Sequence, residues 1–234
     1  AGGNLASPGG PGEAEAGKGV MIPRELLKSG ADQLGIALSM EQINSLFVYL
    51  AELKKWNQKI NLTAIRDERD IVIKHVLDSL SYFKGFSPLE GSRLLDMGSG
   101  AGFPALVIKI ARPEISVTLV ESIKKKASFL RHVVRTLKLA NILVIDRRTE
   151  ELSVEHASSY DIVTARAFAD MDAAVSAGSP FLSQGGVMVL SRGPEEMVSD
   201  QALAKAGMSV DRKIDLTLPH SDYKRAIWVF RKSG

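Results

Sequence analysis

No cysteine occurs among the 234 residues. That excludes disulfides, thiolate nucleophiles and zinc–thiolate centres, and it fits a reducing compartment. Aromatic side chains make up only 6% of the chain, and none interleave with basic residues as a platform for stacking single-stranded bases would require. No run reaches the roughly 18 consecutive apolar residues of a membrane-spanning helix, and no signal-like apolar stretch lies near the start. A soluble, cytoplasmic protein without a membrane partner is expected. Charge of neither sign dominates, the formal net charge being +3, so any nucleic-acid contact must rest on where the basic residues sit. The histidines and acids show no metal-ligand spacing, and no metal is expected.

What is present is enough apolar sequence, 45% of the residues, to bury a sizeable core as one domain with an appendage. Residues 1–20, rich in Gly, Pro and Ala, cannot offset their ordering entropy by burial and read as a disordered tail. Residues 21–90 read as a helical subdomain. Two helical patterns run from Pro23 to Lys59; the second opens at Ser39 as N-cap and carries Ile43, Leu46, Phe47, Leu50 and Leu53 on one face, with Trp56 as a further core residue. Asp67 is placed to cap a third helix in which Val72, Val76 and Leu80 recur at four-residue steps. His75, Asp78 and Ser79 share a flank of that helix. Three such short helices must bury their apolar faces on the rest of the chain, so they are expected to form one wall of a cleft with His75 and Asp78 facing it.

Residues 91–234 alternate strand and helix, the pattern of a mostly parallel sheet. Candidate strands are Arg93 to Asp96, Val117 to Glu121, Ile142 to Asp146, Asp161 to Ala165, Val187 to Ser191, Val210 to Leu216 and Ala226 to Arg231. The link "LPHSDYK" is too short for a crossover helix, so the last pair is expected as an antiparallel hairpin. Seven strands with a reversed last strand define an α/β class, the methyltransferase variant of the doubly wound, Rossmann-like sheet.

At the first strand-to-helix junction, "LLDMGSGAGFPALVIKIA", Gly98, Gly100 and Gly102 permit a tight turn and close backbone approach, with a helix expected from Pro104 to Ala111. A dinucleotide fingerprint would need glycine where Phe103 stands. Asp96 ahead of the turn would repel a pyrophosphate but suits a ligand bearing an ammonium or sulfonium. Glu121, at the end of the second strand, is placed to accept from ribose hydroxyls. Acid, glycine turn and second acid together describe a pocket for S-adenosylmethionine. Further on, Lys124, Arg131, Arg135 and Lys138 project opposite the apolar face of one helix. Arg147 and Arg148 follow the next strand, so a phosphate-binding surface is expected there.

The segments "NLTAI", "KHVLDSL", "LLDMGSGAGFP", "ES…K…FLR", "RRTEEL" and "TARAFA", in this order and spacing, resemble the RsmG (GidB) family of bacterial 16S rRNA methyltransferases over about residues 25–231. The resemblance implies methyl transfer from S-adenosylmethionine to N7 of a guanine in the 530-loop region of small-subunit rRNA. It places cofactor contacts on Gly98, Phe103, Thr149, Glu150 and Arg166. The family usually has Ala at Thr149, Ser at Thr164 and Lys at Arg192. The expected partner is 16S rRNA or the small ribosomal subunit, with no DNA, and the chain is read as a monomer. Arg166, His75 and Asp78 are the catalytic candidates. N7 carries a lone pair and no proton, so the expected catalyst needs alignment rather than a base. Two other readings are open: an RNA-binding protein on an inactive scaffold, and a nicotinamide oxidoreductase. Intact acids and turn weigh against the first, Asp96 and Phe103 against the second.

Overall fold

The computed structural model describes residues 23–152, 156–166, 168 and 170–232; the tail expected over residues 1–20 lies outside them. Among the described residues, strands β1 (Arg93–Met97), β2 (Ser116–Val120), β3 (Ile142–Ile145), β4 (Tyr160–Ala165), β5 (Leu182–Arg192), β6 (Met208–Thr217) and β7 (Lys224–Lys232) form one sheet in the order β3-β2-β1-β4-β5-β7-β6. The first five are parallel, and β7 runs antiparallel to both β5 and β6, as the short link predicts. The chain leaves β1 toward β2 and β3, then returns to β4 on the other side. This reversal puts a crevice at the carboxyl ends of β1 and β4, where open α/β sheets bind ligands.

Most strands run longer than their apolar runs suggest. The largest difference is β5, which begins at Leu182 rather than Val187. Its first residues, "LSQGG", have turn composition, yet Ser183 Oγ donates to the Tyr160 carbonyl at 3.1 Å and the register with β4 shifts there. A bulge thus absorbs the glycines and pairing continues. At the sheet's end, β6 presents Asp211, Arg212, Lys213 and Asp215, and most of the strand is exposed.

Helices α1 (Pro23–Gln33) and α2 (Met40–Asn57) precede the sheet. Ser39 caps α2 through a reciprocal pair with Gln42: Gln42 N donates to Ser39 Oγ at 3.1 Å and Ser39 N to Gln42 Oε1 at 2.8 Å. Asp67 caps the third helix, accepting from Asp70 N at 2.9 Å. This helix, α3, begins as Glu68–Ile71, widens to a π-helical segment over Val72–Leu77 and closes as Asp78–Ser81. The wide segment contains His75, and such widenings recur at functional sites. Helices α4 (Ala105–Ala111), α5 (Lys124–Thr136), α6 (Met171–Gly178) and α7 (Asp200–Ala206) complete the layers. Pro104 caps α4 instead of opening it, after a cis Phe103–Pro104 bond.

The preceding helices and the sheet share one core. Leu46, Leu53, Val76 and Leu80 belong to the same buried cluster as Leu94, Leu106 and Leu130. Two polar links bind α2 to the sheet layer: Gln42 Nε2 donates to the Ala111 carbonyl at 3.0 Å, and His132 Nε2 lies 2.6 Å from Glu52 Oε2. A third reaches the glycine turn, where fully buried Tyr49 donates from its hydroxyl to the Ala101 carbonyl at 2.5 Å. Burial raises the phenol pKa well above its ordinary value, so Tyr49 stays a donor. Tyr49→Phe leaves that buried carbonyl without its partner and should cost about 1–2 kcal/mol in stability. Urea unfolding of the two proteins checks this, and equal midpoints would remove Tyr49 as a brace of the turn.

Candidate active site

The glycine turn follows β1 directly. Gly98, Gly100 and Gly102 all hold positive φ. Only glycine fits at residue 102: at φ +98°, a Cβ there would lie 2.4 Å from Leu106 Cδ1. The turn is braced from β2 by Glu121, whose Oε2 accepts from Gly100 N and whose Oε1 accepts from Ile123 N, both at 2.8 Å. Glu121 is buried. Its carboxylate therefore shapes the loop as well as lying where a ribose acceptor was expected.

Asp96 is also buried, 0% exposed, and does not face solvent as a ligand-side acid would. Its Oδ1 accepts from Thr164 Oγ1 at 2.7 Å, while Oδ2 has no hydrogen-bond partner. Burial pushes its pKa up to about 7, against lowering by its hydrogen bonds and by Arg166. Thr164 thus keeps the hydroxyl that matters at this position.

Beyond the turn lies a cleft of about 330 Å³, within the range of small-molecule sites. Gly98, Val120, Thr149, Glu150 and Phe168 line it. Arg147 and Arg148 line it too, so these two belong to the cleft rather than to a separate phosphate surface. Phe168 and Ser122 also line it and were not singled out from the sequence. Phe168 sits inside "TARAFA", and its signal is the same as that of Arg166. The open glycine and the polar lining fit an S-adenosylmethionine-sized ligand, while Asp96, fully buried, is not part of the cleft wall.

On the other side of the turn, three planar groups layer together. The His75 ring stacks on Phe103 with centroids 4.6 Å apart, and the Arg166 guanidinium lies 5.7 Å from the Phe103 centroid. His75 Nε2 bonds Thr63 Oγ1 at 2.7 Å, and its buried Nδ1 has no partner. Burial, aided by the Arg166 charge, lowers its pKa to about 3, so the ring is neutral at physiological pH. His75 therefore packs against Phe103 beside the glycine turn, but it is buried and does not line the cleft it was expected to face.

Asp78 does not face the cleft. It is 2% exposed, with Oδ2 3.1 Å from Arg166 Nη2 and Oδ1 accepting from Ser191 Oγ at 3.0 Å and Arg225 Nε at 3.2 Å. It positions Arg166 rather than touching a substrate. Arg166 Nη2 also donates to the Lys74 carbonyl. Ser79 turns inward to the His75 carbonyl at 2.5 Å. Arg192, buried, donates to the Phe168 carbonyl at 3.1 Å, and its Nη2 has no partner.

The expected basic stripe divides. Lys124 opens α5 at the cleft side, but α5 runs about 20 Å toward the opposite edge of the sheet. Arg135 is exposed toward that far end, and Lys138 lies beyond the helix at φ +51°. Arg131 is drawn toward β3, 3.3 Å from both the Val144 carbonyl and Asp146 Oδ1. The helical period that aligned the four residues ends at Thr136, and β3 offers Arg131 acceptors that the helix pattern could not reveal. Among the described residues no group of acids and histidines could hold a metal ion, and no helix is long and apolar enough to cross a membrane.

Residues 42–228 match the family model for rRNA small subunit methyltransferase G, GidB. The chain belongs to that family. Ribosomal RNA small subunit methyltransferase G of Geobacter sp. (strain M21) is 40% identical over 219 residues, which are 92% of this chain and 100% of that protein. In three dimensions, a SAM-dependent methyltransferase from Aquifex aeolicus aligns with TM-score 0.52 at 17% identity, over 70% of this chain and 93% of that one. The [4+2]-cyclase SpnF aligns with TM-score 0.56 at 15% identity, over 85% and 97%. These structures place the GidB chain in the class I methyltransferase fold, and the cyclase shows that the fold alone does not name a reaction.

Asp96 sets a pH dependence in the free protein. Its carboxyl ionises near 3.8 when unfolded and at about 7 when folded. The folded state thus holds the proton longer, and stability from this group is present below the lower value and lost as pH rises toward the upper one. At about 1.4 kcal/mol per pKa unit the loss has an upper bound of about 4 kcal/mol. Asp96→Asn should be more stable than the parent at pH 8 and converge with it near pH 4. Urea midpoints that differ equally at both pH values would contradict the assignment.

Proposed function

We propose that this GidB-family chain transfers a methyl group from S-adenosylmethionine to N7 of a guanine in the 530-loop region of 16S rRNA, in the cytoplasm. The observation that carries the reading is the meeting of two surfaces at the glycine turn: the cleft lined by Gly98, Thr149 and Glu150, and beside it the layer of His75, Phe103 and Arg166. One suits a nucleoside-bearing cofactor; in the other the buried His75 and Phe103 rings back the partly exposed Arg166 guanidinium, which suits a base edge.

When bound, S-adenosylmethionine supplies a methyl group on a cationic sulfur. Gly98, Thr149 and Glu150 would hold its nucleoside part, with Glu121 bracing the turn beneath it and Asp96 buried behind. Guanine N7 has a lone pair and no proton to lose, so the residues need only align the two reactants and exclude water. The neutral, buried His75 agrees with such chemistry, since it serves as packing and a hydrogen-bonding link rather than as a base. Arg166, pinned by Asp78, presents a fixed guanidinium suited to guanine O6 or to the cofactor carboxylate. Of the basic residues, Arg147 and Arg148 line the cleft and Lys124 opens the helix that follows Ser122; Arg131, Arg135 and Lys138 would meet only RNA that wraps toward the far edge of the sheet.

Incubating the protein with small subunits and isotopically labelled S-adenosylmethionine, then mapping 16S rRNA by mass, should give one added methyl on a guanine of the 530-loop region; a mark elsewhere, or none, would overturn the assignment. His75→Ala should lower turnover with little change in cofactor affinity. Glu121→Ala should weaken S-adenosylmethionine binding by about 1.5–3 kcal/mol, the range for charge-assisted hydrogen bonds. Calorimetric titration measures it, and unchanged affinity would remove Glu121 from the site.

A further inference from the structure

A second pocket, of about 430 Å³, lies between the end of α2, the loop that follows and the start of α3. The sequence motif "NLTAI" forms its wall, and the chemistry above leaves that motif unused. Leu53, Ile65 and Ile71 give the pocket an apolar floor, while Gln58, Asn61 and Thr63 bring an amide, a second amide and a hydroxyl to it. The wall is built, not loose. Asn57 Oδ1 accepts from Leu62 N at 2.8 Å and Thr63 N at 3.0 Å, and its Nδ2 donates to the Thr63 carbonyl at 2.9 Å. The Thr63 hydroxyl accepts from Ile65 N at 3.1 Å and joins His75 Nε2 at 2.7 Å. Through that bond the pocket touches the ring that stacks on Phe103 at the glycine turn.

The polar groups that could meet a ligand are free. Gln58, Asn61 and Arg66 are exposed, and among the described residues their side chains have no hydrogen-bond or ion-pair partner. Lys59, also exposed and unpaired, lies one residue beyond Gln58, and Lys54 at the pocket edge is held by Glu68 at 2.8 Å. Uncharged amides over an apolar floor suit a flat heterocycle, because Asn and Gln match the donor–acceptor pairs of base edges and leave no charge to be desolvated. Arg66 in the pocket wall and Lys59 beside it suit the phosphates on either side of a base, while Lys54, also in the wall, is paired with Glu68 and the apolar floor offers a free anion no partner. A protein partner would call for a broader surface.

We propose that this pocket receives an unpaired nucleobase of the RNA substrate, next to the target guanine, with Gln58 and Asn61 on the base edge and Arg66 on a neighbouring phosphate. Single-stranded RNA is read in this manner, by splayed bases seated in pockets. The inference rests on the proposed action on rRNA. It adds a site that selects where on the RNA the glycine turn is presented, transmitted through Thr63 and His75.

The test compares the full chain with Gln58→Ala/Asn61→Ala and with Arg66→Ala, measuring 16S rRNA affinity across a salt series, S-adenosylmethionine affinity and the thermal midpoint. The double variant should bind RNA at least tenfold more weakly with the same salt slope, because it loses base contacts. Arg66→Ala should reduce the slope by about one unit, because it loses a phosphate contact. Both should retain the parent's cofactor affinity and midpoint, since these side chains are exposed and unpaired. Parental RNA affinity in the double variant overturns the pocket while leaving the proposed reaction standing. A fall in cofactor affinity instead of RNA affinity also overturns it. If the parent places no methyl on 16S rRNA, the proposed reaction fails, and the pocket stands or falls on the RNA affinities alone.

Discussion

The arrangement of the site depends on one buried carboxylate. Asp78 accepts from Ser191 on β5 and from Arg225 on β7, and pairs with Arg166 at the end of β4, while its own backbone belongs to α3. Four elements thus converge on a group that is 2% exposed. A buried charge of this kind adds little net stability, but removing a partner leaves another charge stranded at a cost of about 3–5 kcal/mol. What it provides is geometry. Arg166 cannot swing away from Phe103, and the helix carrying His75 cannot slide along the sheet without breaking several charge-assisted bonds at once.

Much of the fold was legible because its signals are local. Ser39 and Asp67 announce helix starts by residue type and spacing, and both serve as caps. The alternation of apolar runs with helical segments gave the sheet, and the brevity of "LPHSDYK" gave the reversed last strand. The site was half legible. Of the five residues that the resemblance names as cofactor contacts, Gly98, Thr149 and Glu150 line the cleft, while Phe103 and Arg166 pack together beside the turn. Burial was not readable: Asp96 and Asp78 look like surface acids in the sequence, and only packing from distant segments turns them inward. Tyr49 carries no signal at all, since its acceptor is a backbone carbonyl 52 residues away. The basic stripe was over-read for the opposite reason, a periodicity carried past the helix end.

The glycine turn is held by contacts that do not compete with one another. Glu121 fixes the Gly100 side from β2, and Tyr49 fixes the Ala101 side from α2. The likeness in fold to the [4+2]-cyclase SpnF, at 15% identity, extends to the fold alone, so these contacts are features of this chain's residues and not of the fold as such. The neutral His75 and the burial of Asp96 away from the cleft agree with the proposed catalyst of position. In such a site, the supporting bonds matter as much as the groups that touch the reactants.

The charged strand β6 has a consequence for the protein's behaviour in crowded solution. An edge strand offers unpaired backbone groups to any other extended chain, which is the route to fibrils and to sheet-to-sheet clumping. Asp211, Arg212, Lys213 and Asp215 sit on that edge, with Asp211 bonded to Arg212 at 2.7 Å and to Arg231 at 3.0 Å. A strand from another molecule could add there only by desolvating these ions, so the sheet terminates at β6 and the long, strongly apolar strand β7 beside it stays shielded from aggregation.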